Sequence, residues 1–358
     1  MIRSKPLAYR ADRGMIVVRD FKQQPEKYKN IMLKFHQVID LFHPGIGLEA
    51  RDKYVDDMLF CFICYSAYPE EYFIYGFEHL DAEKRDEIMT DGLRYSFYKK
   101  VNDPKSIELL DDKYLTYQHF SKYFNRELLL VRSVEDMSDF LDFTSRNPRF
   151  IMKPVRSYGG NGIRIVDLAH DDFANVFRTI LSFKSGAVVE ELVVQSEIMG
   201  RLNESSLNTV RVMSAYFHAG VELLYPLLKV GRKGNCVDNF SSGGMIAAVD
   251  TKTGRVTSPL TDRFRNSYVS HPDSGVPIID FQLPDWELAC DMTRELAASI
   301  PENRIVGWDL AYTRNGWIMI EGNPRPQLGG QLVSDKGWVS AFEDLQERLL
   351  RDMGTIGR

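Results

Sequence analysis

The segment IVGWDLAYTRNGWIMIEGNPRPQ, residues 305–327, constrains the fold more than any other stretch of the sequence. Asn315 and Gly316 form a strong turn signal between two runs of strand-forming residues. The segment therefore predicts a β-hairpin, in which alternate side chains point to opposite faces. Further strands are predicted at 187–194, 208–218, 222–230 and 244–250.

The hairpin has two possible registers. A two-residue turn pairs Arg314 with Trp317, whereas a three-residue loop, with its glycine in the left-handed region, pairs Thr313 with Trp317. The second register places Asp309 directly opposite Glu321 and separates acidic from apolar side chains. Because burying an unpaired carboxylate is costly, we favour the second register. The apolar residues that it groups on the other face are Leu310, Tyr312, Ile318 and Ile320.

The same register predicts a metal site. Because side chains alternate along a strand, Asn323 lies on the face of Asp309 and Glu321. Two carboxylates about 5 Å apart repel each other unless a cation lies between them. Oxygen ligands without His or Cys suit Mg²⁺, which keeps several waters and binds substrate phosphates. The alternative is a solvated hairpin face whose acids are not linked.

A second informative segment, RFIMKPVRSYGGNGIRIVDL at 149–168, predicts two strands joined by a flexible loop at 156–162. Three glycines in the loop allow backbone N–H groups to approach an anion closely, although the Gly-Lys-Ser/Thr ending of a Walker loop is missing. Lys153 lies in the apolar strand before the loop and needs a partner, which a nucleotide phosphate would supply. The alternative is a lysine on a solvated strand face. The three glycines are Gly159, Gly160 and Gly162.

Composition excludes several classes of function. The formal net charge of −5 and a pI near 5.9 argue against a nucleic-acid or membrane-surface binder. No apolar run is long enough for a membrane span, and the N-terminus does not resemble a secretory signal, so we expect a cytoplasmic protein. Cys61 and Cys64 lie in an apolar aromatic stretch and are predicted to be buried thiols rather than metal ligands.

The predicted content of helices and strands changes along the chain. Residues 1–110 are predicted to form a mostly helical region, and no chemical motif is found in it. Residues 111–186 alternate between helix and strand and contain the glycine-rich loop. Residues 187–358 are rich in strands and contain the predicted metal site. The fold class predicted from this order is α+β.

These features in this order resemble the ATP-grasp superfamily. A helix lysine, Lys113, is followed by the strand lysine, the glycine hairpin, a strand ending in acids and the closing Asp, Glu and Asn. Four segments resemble sequences of the sugar-transfer-associated ATP-grasp branch, which is related to α-L-glutamate ligases: SSLNTVRV, KVGRKGNCVDNFSSGG, GWDLAYT and EGNPRP. The resemblance covers about residues 110–330.

The resemblance implies two α+β lobes that grip ATP between antiparallel sheets. Lys113 and Lys153 would contact the phosphates, and the loop from Ser157 to Gly162 would close over them. The residues implied for the adenine edge and the ribose are Glu190, the backbone of Glu191, the backbone N–H of Val193, and Glu197.

The resemblance also implies roles for the acids and bases of the last third of the chain. Asp309, Glu321 and Asn323 would hold one or two Mg²⁺ ions, or Mn²⁺, at the β- and γ-phosphates. Arg211 and Lys229 would stabilise charge on the transferred phosphoryl group or on the acceptor carboxylate.

The activity implied is that of a ligase, which activates a carboxylate as an acyl phosphate for attack by an amine or another nucleophile. A kinase that phosphorylates a sugar or polyol shares every ATP residue and remains open. A non-catalytic nucleotide-binding module is the third alternative. The branch suggests surface-polysaccharide or natural-product biosynthesis, with a small or glycan-linked acceptor.

Overall fold

The computed structural model describes residues 5–157, 160–235, 238–334 and 336–354. The chain divides into two compact units, and the sequence-based boundaries at 110 and 186 remain predictions. The first unit comprises Met1–Val101, Phe264–Asn266 and Gln327–Arg358. The second comprises Asn102–Arg263 and Ser267–Pro326.

Helices make up most of the chain before the first strand, and the helix predicted from the apolar spacing of residues 31–42 is present as α2. These helices are α1 (Leu7–Gln23), α2 (Lys29–Phe42), α3 (Leu48–Tyr65), α4 (Pro69–Ile74), α5 (Ala82–Glu87), α6 (Asp91–Val101), α7 (Pro104–Asp111) and α8 (Lys113–Phe124). The later helices are α9 (Met137–Arg146), α10 (Phe173–Ser182), α11 (Glu197–Gly200), α12 (Trp286–Ala298) and α13 (Val339–Asp352). Among the described residues, none of the helices combines the length and the apolar character needed to cross a membrane.

The first unit has an apolar core of its own. Helix α13 packs in this unit because its buried Phe342 contacts the ring of Phe97 in α6, with ring centroids 5.2 Å apart. Cys61 and Cys64 are buried in α3, which confirms their prediction as core residues. Burial raises the pKa of Cys61, so this thiol resists ionisation.

The strands of the second unit form two antiparallel sheets. Among the described residues, one sheet has the order β1-β4-β2-β3 and the other has the order β11-β10-β5-β6-β7-β8-β9. The strands of the smaller sheet are β1 (Leu128–Val131), β2 (Arg149–Pro154), β3 (Arg164–Asp167) and β4 (Ala187–Glu191). Those of the larger sheet are β5 (Thr209–Phe217), β6 (Gly220–Val230), β7 (Met245–Ala248), β8 (Leu260–Thr261), β9 (Ser267–Tyr268), β10 (Ile305–Thr313) and β11 (Gly316–Asn323).

Helix α12 covers one face of the larger sheet, where it packs against β5, β6 and β10. Trp308 is fully buried on this face and donates from Nε1 to Ser214 Oγ (2.9 Å). Its ring meets Phe120 of α8 edge to face, with centroids 5.5 Å apart. Because side chains alternate along β10, Asp309 points to the opposite face, so the candidate site lies there.

The β10–β11 hairpin has the predicted acidic pair but not the predicted turn. Thr313 pairs with Gly316, whose φ is +100°, so the predicted pairing of Thr313 with Trp317 is wrong. Asp309 nevertheless lies opposite Glu321, as predicted. A β-bulge next to Asp309 shifts the register by one residue and so compensates for the shorter turn.

The bulge also changes which apolar residues face α12. Met319 pairs with Leu310 and joins it in the core. Ile318 therefore lies on the face of Asp309, and Ile320 is the extra residue of the bulge. The predicted grouping of Ile318 and Ile320 with Leu310 is wrong, because it assumed that the alternation of side chains is uninterrupted.

Replacing Trp308 with alanine is expected to lower the free energy of unfolding by about 3–5 kcal/mol, because it leaves a cavity between α8 and the sheet. Urea unfolding followed by circular dichroism measures this loss. Arg314→Ala, at the exposed turn of the same hairpin, is the matched control and should change stability by at most about 0.5 kcal/mol. An equally small effect of Trp308→Ala would contradict the described packing.

Candidate ATP-grasp site

Lys153, Glu190 and Arg126 form a buried ion-pair group at the smaller sheet. Lys153 Nζ lies 2.8 Å from Glu190 Oε1, and Arg126 Nε donates to Glu190 Oε2 (2.8 Å). The three side chains are between 2% and 11% exposed. The partner that the buried Lys153 needs is therefore supplied by the protein itself, and its contact with a phosphate remains a prediction.

The Glu190 carboxylate is ionised although it is buried. Burial alone raises its pKa, but the charges and hydrogen bonds of Lys153 and Arg126 outweigh burial and lower the pKa to about 2. Both of its oxygens are engaged by these cations. The Glu190 side chain therefore holds Lys153 in place through an ion pair, and its contact with adenine remains a prediction.

Lys113 is the first residue of α8, and Asp112 caps this helix through its side chain. Lys113 Nζ donates to the carbonyl and hydroxyl oxygens of Ser157, both at 3.1 Å. Burial lowers the pKa of Lys113; the field of Glu321 raises it, and the field of Lys153 lowers it. Lys113 therefore lies within the electrostatic reach of both the other lysine and the hairpin carboxylate.

The glycine-rich loop contains two positions that require glycine. Gly160 and Gly162 have φ angles of +81° and +76°, in the left-handed region. A Cβ on Gly160 would lie 2.7 Å from Nδ2 of Asn239, and one on Gly162 would lie 2.7 Å from Cγ of Pro154. Gly159, the third predicted glycine, lies outside the described residues.

Asp309 is the centre of a second charged group, on the larger sheet. Arg211, its cross-strand neighbour on β5, donates to both carboxylate oxygens from Nε and Nη2, at 2.7 Å each. Lys229 Nζ donates to Asp309 Oδ2 (3.0 Å) and lies 3.4 Å from Asp238 Oδ1. Burial raises the pKa of Asp309, but Arg211 and Lys229 outweigh burial and hold it well below its usual range.

Glu321 and Asn323 lie on the same face as Asp309. Arg211 Nη2 is 3.6 Å from Glu321 Oε1. Burial and repulsion by Asp309 raise the pKa of Glu321, and the nearby cations only partly offset them. Asn323 pairs with Gly307 across the hairpin, and its Oδ1 accepts a hydrogen bond from the N–H of the second residue after it (2.9 Å).

The donor chemistry of this face fits a hard divalent cation. It offers two carboxylates and one amide oxygen. Repulsion by Asp309 adds to the effect of burial in raising the pKa of Glu321, and such a cation would offset that repulsion. Asp309 would have to share its oxygens with Arg211 and Lys229. Within the described part of the chain, no three or more His, Cys, Asp and Glu side chains form a metal-binding group. Ligation by Asp309, Glu321 and Asn323 therefore remains a prediction.

The residues predicted to read adenine and ribose follow β4. Glu191, the last residue of the strand, and Glu197, in the first turn of α11, are exposed, and Val193 is half-buried between them. Gln195 lies in the segment between β4 and α11 and stabilises it by donating hydrogen bonds to the carbonyl oxygens of Asn203 (2.8 Å) and of Ser206 (3.0 Å). The nucleotide contacts that the resemblance assigns to Glu191, Val193 and Glu197 remain predictions.

Two residues that the sequence does not assign to the site, Arg126 and Asp238, belong to it. Asp238 accepts from the N–H of Thr209 (3.0 Å) and from its hydroxyl, and its carboxylate lies beside Lys229. Asp238 thus belongs to the charged group of the larger sheet. For Arg126 the available signal was an arginine just before the apolar run LLLV, where a buried charge needs a partner.

The fold and the site together define an ATP-grasp protein of α+β architecture, as the sequence predicted. The chain belongs to the sugar-transfer-associated ATP-grasp family, whose model matches residues 92–347. No curated protein matches the sequence at a significant level.

Solved ATP-grasp structures are similar to this one at low sequence identity. The ATP-grasp ligase PsnB, complexed with minimal precursor, Mg and ADP, is 13% identical with a TM-score of 0.42, over 78% of this chain and 72% of that chain. D-alanine-D-alanine ligase from Helicobacter pylori is 15% identical with a TM-score of 0.42, over 67% of this chain and 61% of that chain. The VanG D-Ala:D-Ser ligase from Enterococcus faecalis is 14% identical with a TM-score of 0.44, over 70% of this chain and 63% of that chain. The chain thus covers less than two thirds of these last two.

Replacing Glu190 with glutamine is expected to lower the free energy of unfolding at pH 7 by about 3–5 kcal/mol, because two buried cations lose their partner. The pKa of Glu190 is lowered on folding from 4.5 to about 2, so its contribution is present above pH 4.5 and is lost as the pH falls towards 2. The stability difference between the two proteins should therefore shrink over that range in urea titrations.

The matched control for Glu190→Gln is Glu191→Gln, an exposed carboxyl group one residue further along β4. It should cost less than about 1 kcal/mol at pH 7. A stability difference for Glu190→Gln that stayed constant from pH 7 to pH 3 would contradict the ion-pair account.

Proposed function

We propose that this protein is an ATP- and magnesium-dependent ligase, which activates a carboxylate as an acyl phosphate for attack by an amine or another nucleophile. The observation that supports the proposal best is the opposite balance of charge in two groups of side chains. In the first group cations outnumber carboxylates: Lys113, Arg126, Lys153 and Glu190. In the second group carboxylates outnumber cations: Arg211, Lys229, Asp238, Asp309 and Glu321.

The two groups are close enough to influence each other. The negative charge of Glu321 raises the pKa of Lys113, and Lys113 in turn lowers the pKa of Glu321. An excess of positive charge suits a polyphosphate, and an adjacent excess of negative charge suits a divalent cation bound to it. This pairing of charges favours a nucleotide–metal complex as the ligand.

The chain's own residues provide the proposed contacts to the nucleotide. Lys113 and Lys153 bind phosphate oxygens, and the backbone N–H groups of the loop from Ser157 to Gly162 approach them closely. Lys113 would exchange its contacts with Ser157 for contacts with a phosphate. The backbone of Glu191 and of Val193 reads the adenine edge, with the strand residue Glu190 beside them. Glu197 accepts hydrogen bonds from the ribose hydroxyls.

Asp309, Glu321 and Asn323 would hold one or two Mg²⁺ ions, or Mn²⁺, which supply positive charge at the β- and γ-phosphate oxygens. Arg211 and Lys229 remain beside Asp309 and offset negative charge on the transferred phosphoryl group or on the substrate carboxylate. Since both cations are held by buried ion pairs, they reach this position without reorganisation.

The reaction proceeds in two displacements. A substrate carboxylate oxygen attacks the γ-phosphorus, the bond from that phosphorus to the β,γ-bridging oxygen breaks, and ADP leaves with the electron pair. The amine nitrogen then attacks the carbonyl carbon of the acyl phosphate. The carbon–oxygen bond to phosphate breaks, inorganic phosphate leaves, and the nitrogen loses a proton to solvent. The products are an amide, ADP and phosphate.

The family description suggests the setting of this reaction. A role in surface-polysaccharide or natural-product biosynthesis would require a carboxylate on one substrate and an amine or other nucleophile on a small or glycan-linked acceptor. The proposed role of the side chains of the site is to activate the carboxylate, a step that is common to many carboxylate substrates.

A screen of carboxylic acids against amines, with ATP and Mg²⁺ present, tests the proposal. Repeated turnover with ADP release is expected only when an acid, an amine or other nucleophile and the metal are present together, because without the nucleophile the reaction stops at the acyl phosphate. Phosphorus NMR of the products should show free inorganic phosphate. A phosphomonoester formed from a hydroxyl compound without any amine would instead identify a kinase, and the absence of turnover with nucleotide bound would favour a non-catalytic module.

The same assay includes two matched variants. Glu321→Gln should lower kcat/KM by about 10²–10³-fold, because the carboxylate that neutralises the cation is lost. Glu287→Gln, in the exposed first turn of α12, should retain the activity of the natural protein. Circular dichroism verifies that both variants are folded. Full activity in Glu321→Gln would remove the proposed metal site.

A further inference from the structure

The guanidinium group of Arg126 contacts strands of both sheets in the second unit. Its Nε donates to Glu190 Oε2 in β4 (2.8 Å). Its Nη1 donates to the carbonyl oxygen of Met319 (2.8 Å) and its Nη2 to that of Ile320 (3.4 Å), both in β11. The side chain is 2% exposed, so these hydrogen bonds are made away from water, where they are electrostatically stronger.

The carbonyl groups that Arg126 reaches belong to the β-bulge just before Glu321. A bulge interrupts the ladder of hydrogen bonds, and its backbone groups need other partners when they are buried. Arg126 supplies donors to Met319 and Ile320 at this point. Because the bulge places Glu321 opposite Asp309, Arg126 supports the geometry of the carboxylate pair.

On its other side Arg126 is part of the lysine site. Glu190 accepts from Arg126 with one oxygen and from Lys153 with the other. A continuous series of direct contacts therefore runs from the Lys153 ammonium, through Glu190 and Arg126, to the backbone that precedes Glu321. The contacts through Lys153, Glu190 and the carbonyl of Met319 are each 2.8 Å long, which limits the freedom of each partner.

We infer that Arg126 is a positioning residue that holds the phosphate-binding lysine and the metal-binding carboxylates in a fixed relation to each other. The inference rests on the proposed function, since both sites belong to it. Arg126 acts through Glu190 on one side and through the bulge on the other. A lysine could supply the charge but not the planar fork that reaches several acceptors in different directions.

Two binding measurements on the full chain separate these two effects. Calorimetry with ADP in the absence of metal reports on the lysine site, and electron paramagnetic resonance of Mn²⁺ added to the ADP complex reports on the carboxylates. Arg126→Lys should bind ADP nearly as well as the natural protein, because the charge beside Glu190 is kept. Its ADP complex should bind Mn²⁺ about 10–100-fold more weakly, because the bulge loses its donors.

Glu190→Gln should show the reverse pattern, since Arg126 keeps its contacts with β11. ADP affinity should fall because Lys153 loses its ion pair, while Mn²⁺ affinity of the saturated ADP complex should be retained. The matched control is Arg94→Lys, which alters a buried, ion-paired arginine of the first unit. It should lower stability and leave both affinities unchanged, as expected for a purely structural arginine.

Natural Mn²⁺ affinity in the ADP complex of folded Arg126→Lys would overturn the inference. If that variant does not fold, Arg126→Gln provides the second test, because its shorter, uncharged side chain cannot reach the bulge as the guanidinium does. Both ADP affinity and the Mn²⁺ affinity of the saturated ADP complex should fall, and natural Mn²⁺ affinity would overturn the inference. Failure of the natural protein to bind ADP would instead overturn the proposed function, and the inference with it.

Discussion

The ion pairing of the buried Asp309 carboxylate is the interaction on which the site depends. Transfer of a carboxylate from water to a protein interior costs several kcal/mol, and only close cations offset that cost. Arg211, on the adjacent strand β5, and Lys229, on β6 one strand further away, do so, which fixes both cations beside Asp309. The negative charge left on Glu321 then lies at the surface of this group, where a divalent cation can reach it.

The smaller sheet repeats this arrangement of a buried carboxylate between two cations, but the net charge of its group has the opposite sign. There a single buried carboxylate, Glu190, is held between Lys153 and Arg126, so positive charge is in excess. The opposite excess charges of the two groups are the basis of the proposal that a polyphosphate–metal complex binds there. The two groups have opposite net charge, and Arg126 connects Glu190 of the first group to the backbone just before Glu321 of the second.

The sequence predicted the antiparallel hairpin, the opposition of Asp309 and Glu321, and the family. It did not predict the turn, because a β-bulge has no signature in the alternation of apolar and polar residues when the bulged residue, Ile320, is itself apolar. It also missed Arg126, since a buried arginine is recognised by its partners, and these lie 64 and 193 residues away in the chain. Local patterns reveal strands and turns, whereas long-range ion pairs depend on the tertiary fold.

The central claim is that the charges of the two sheets together bind a nucleotide and a divalent cation. The most direct measurement is the affinity for a non-hydrolysable ATP analogue with and without Mg²⁺, in the natural protein and in Glu321→Gln. The account predicts that Mg²⁺ strengthens binding to the natural protein and has much less effect in the variant, while metal-free affinity is similar in both. Equal strengthening by Mg²⁺ in both proteins, or no binding of the nucleotide to either, would contradict it.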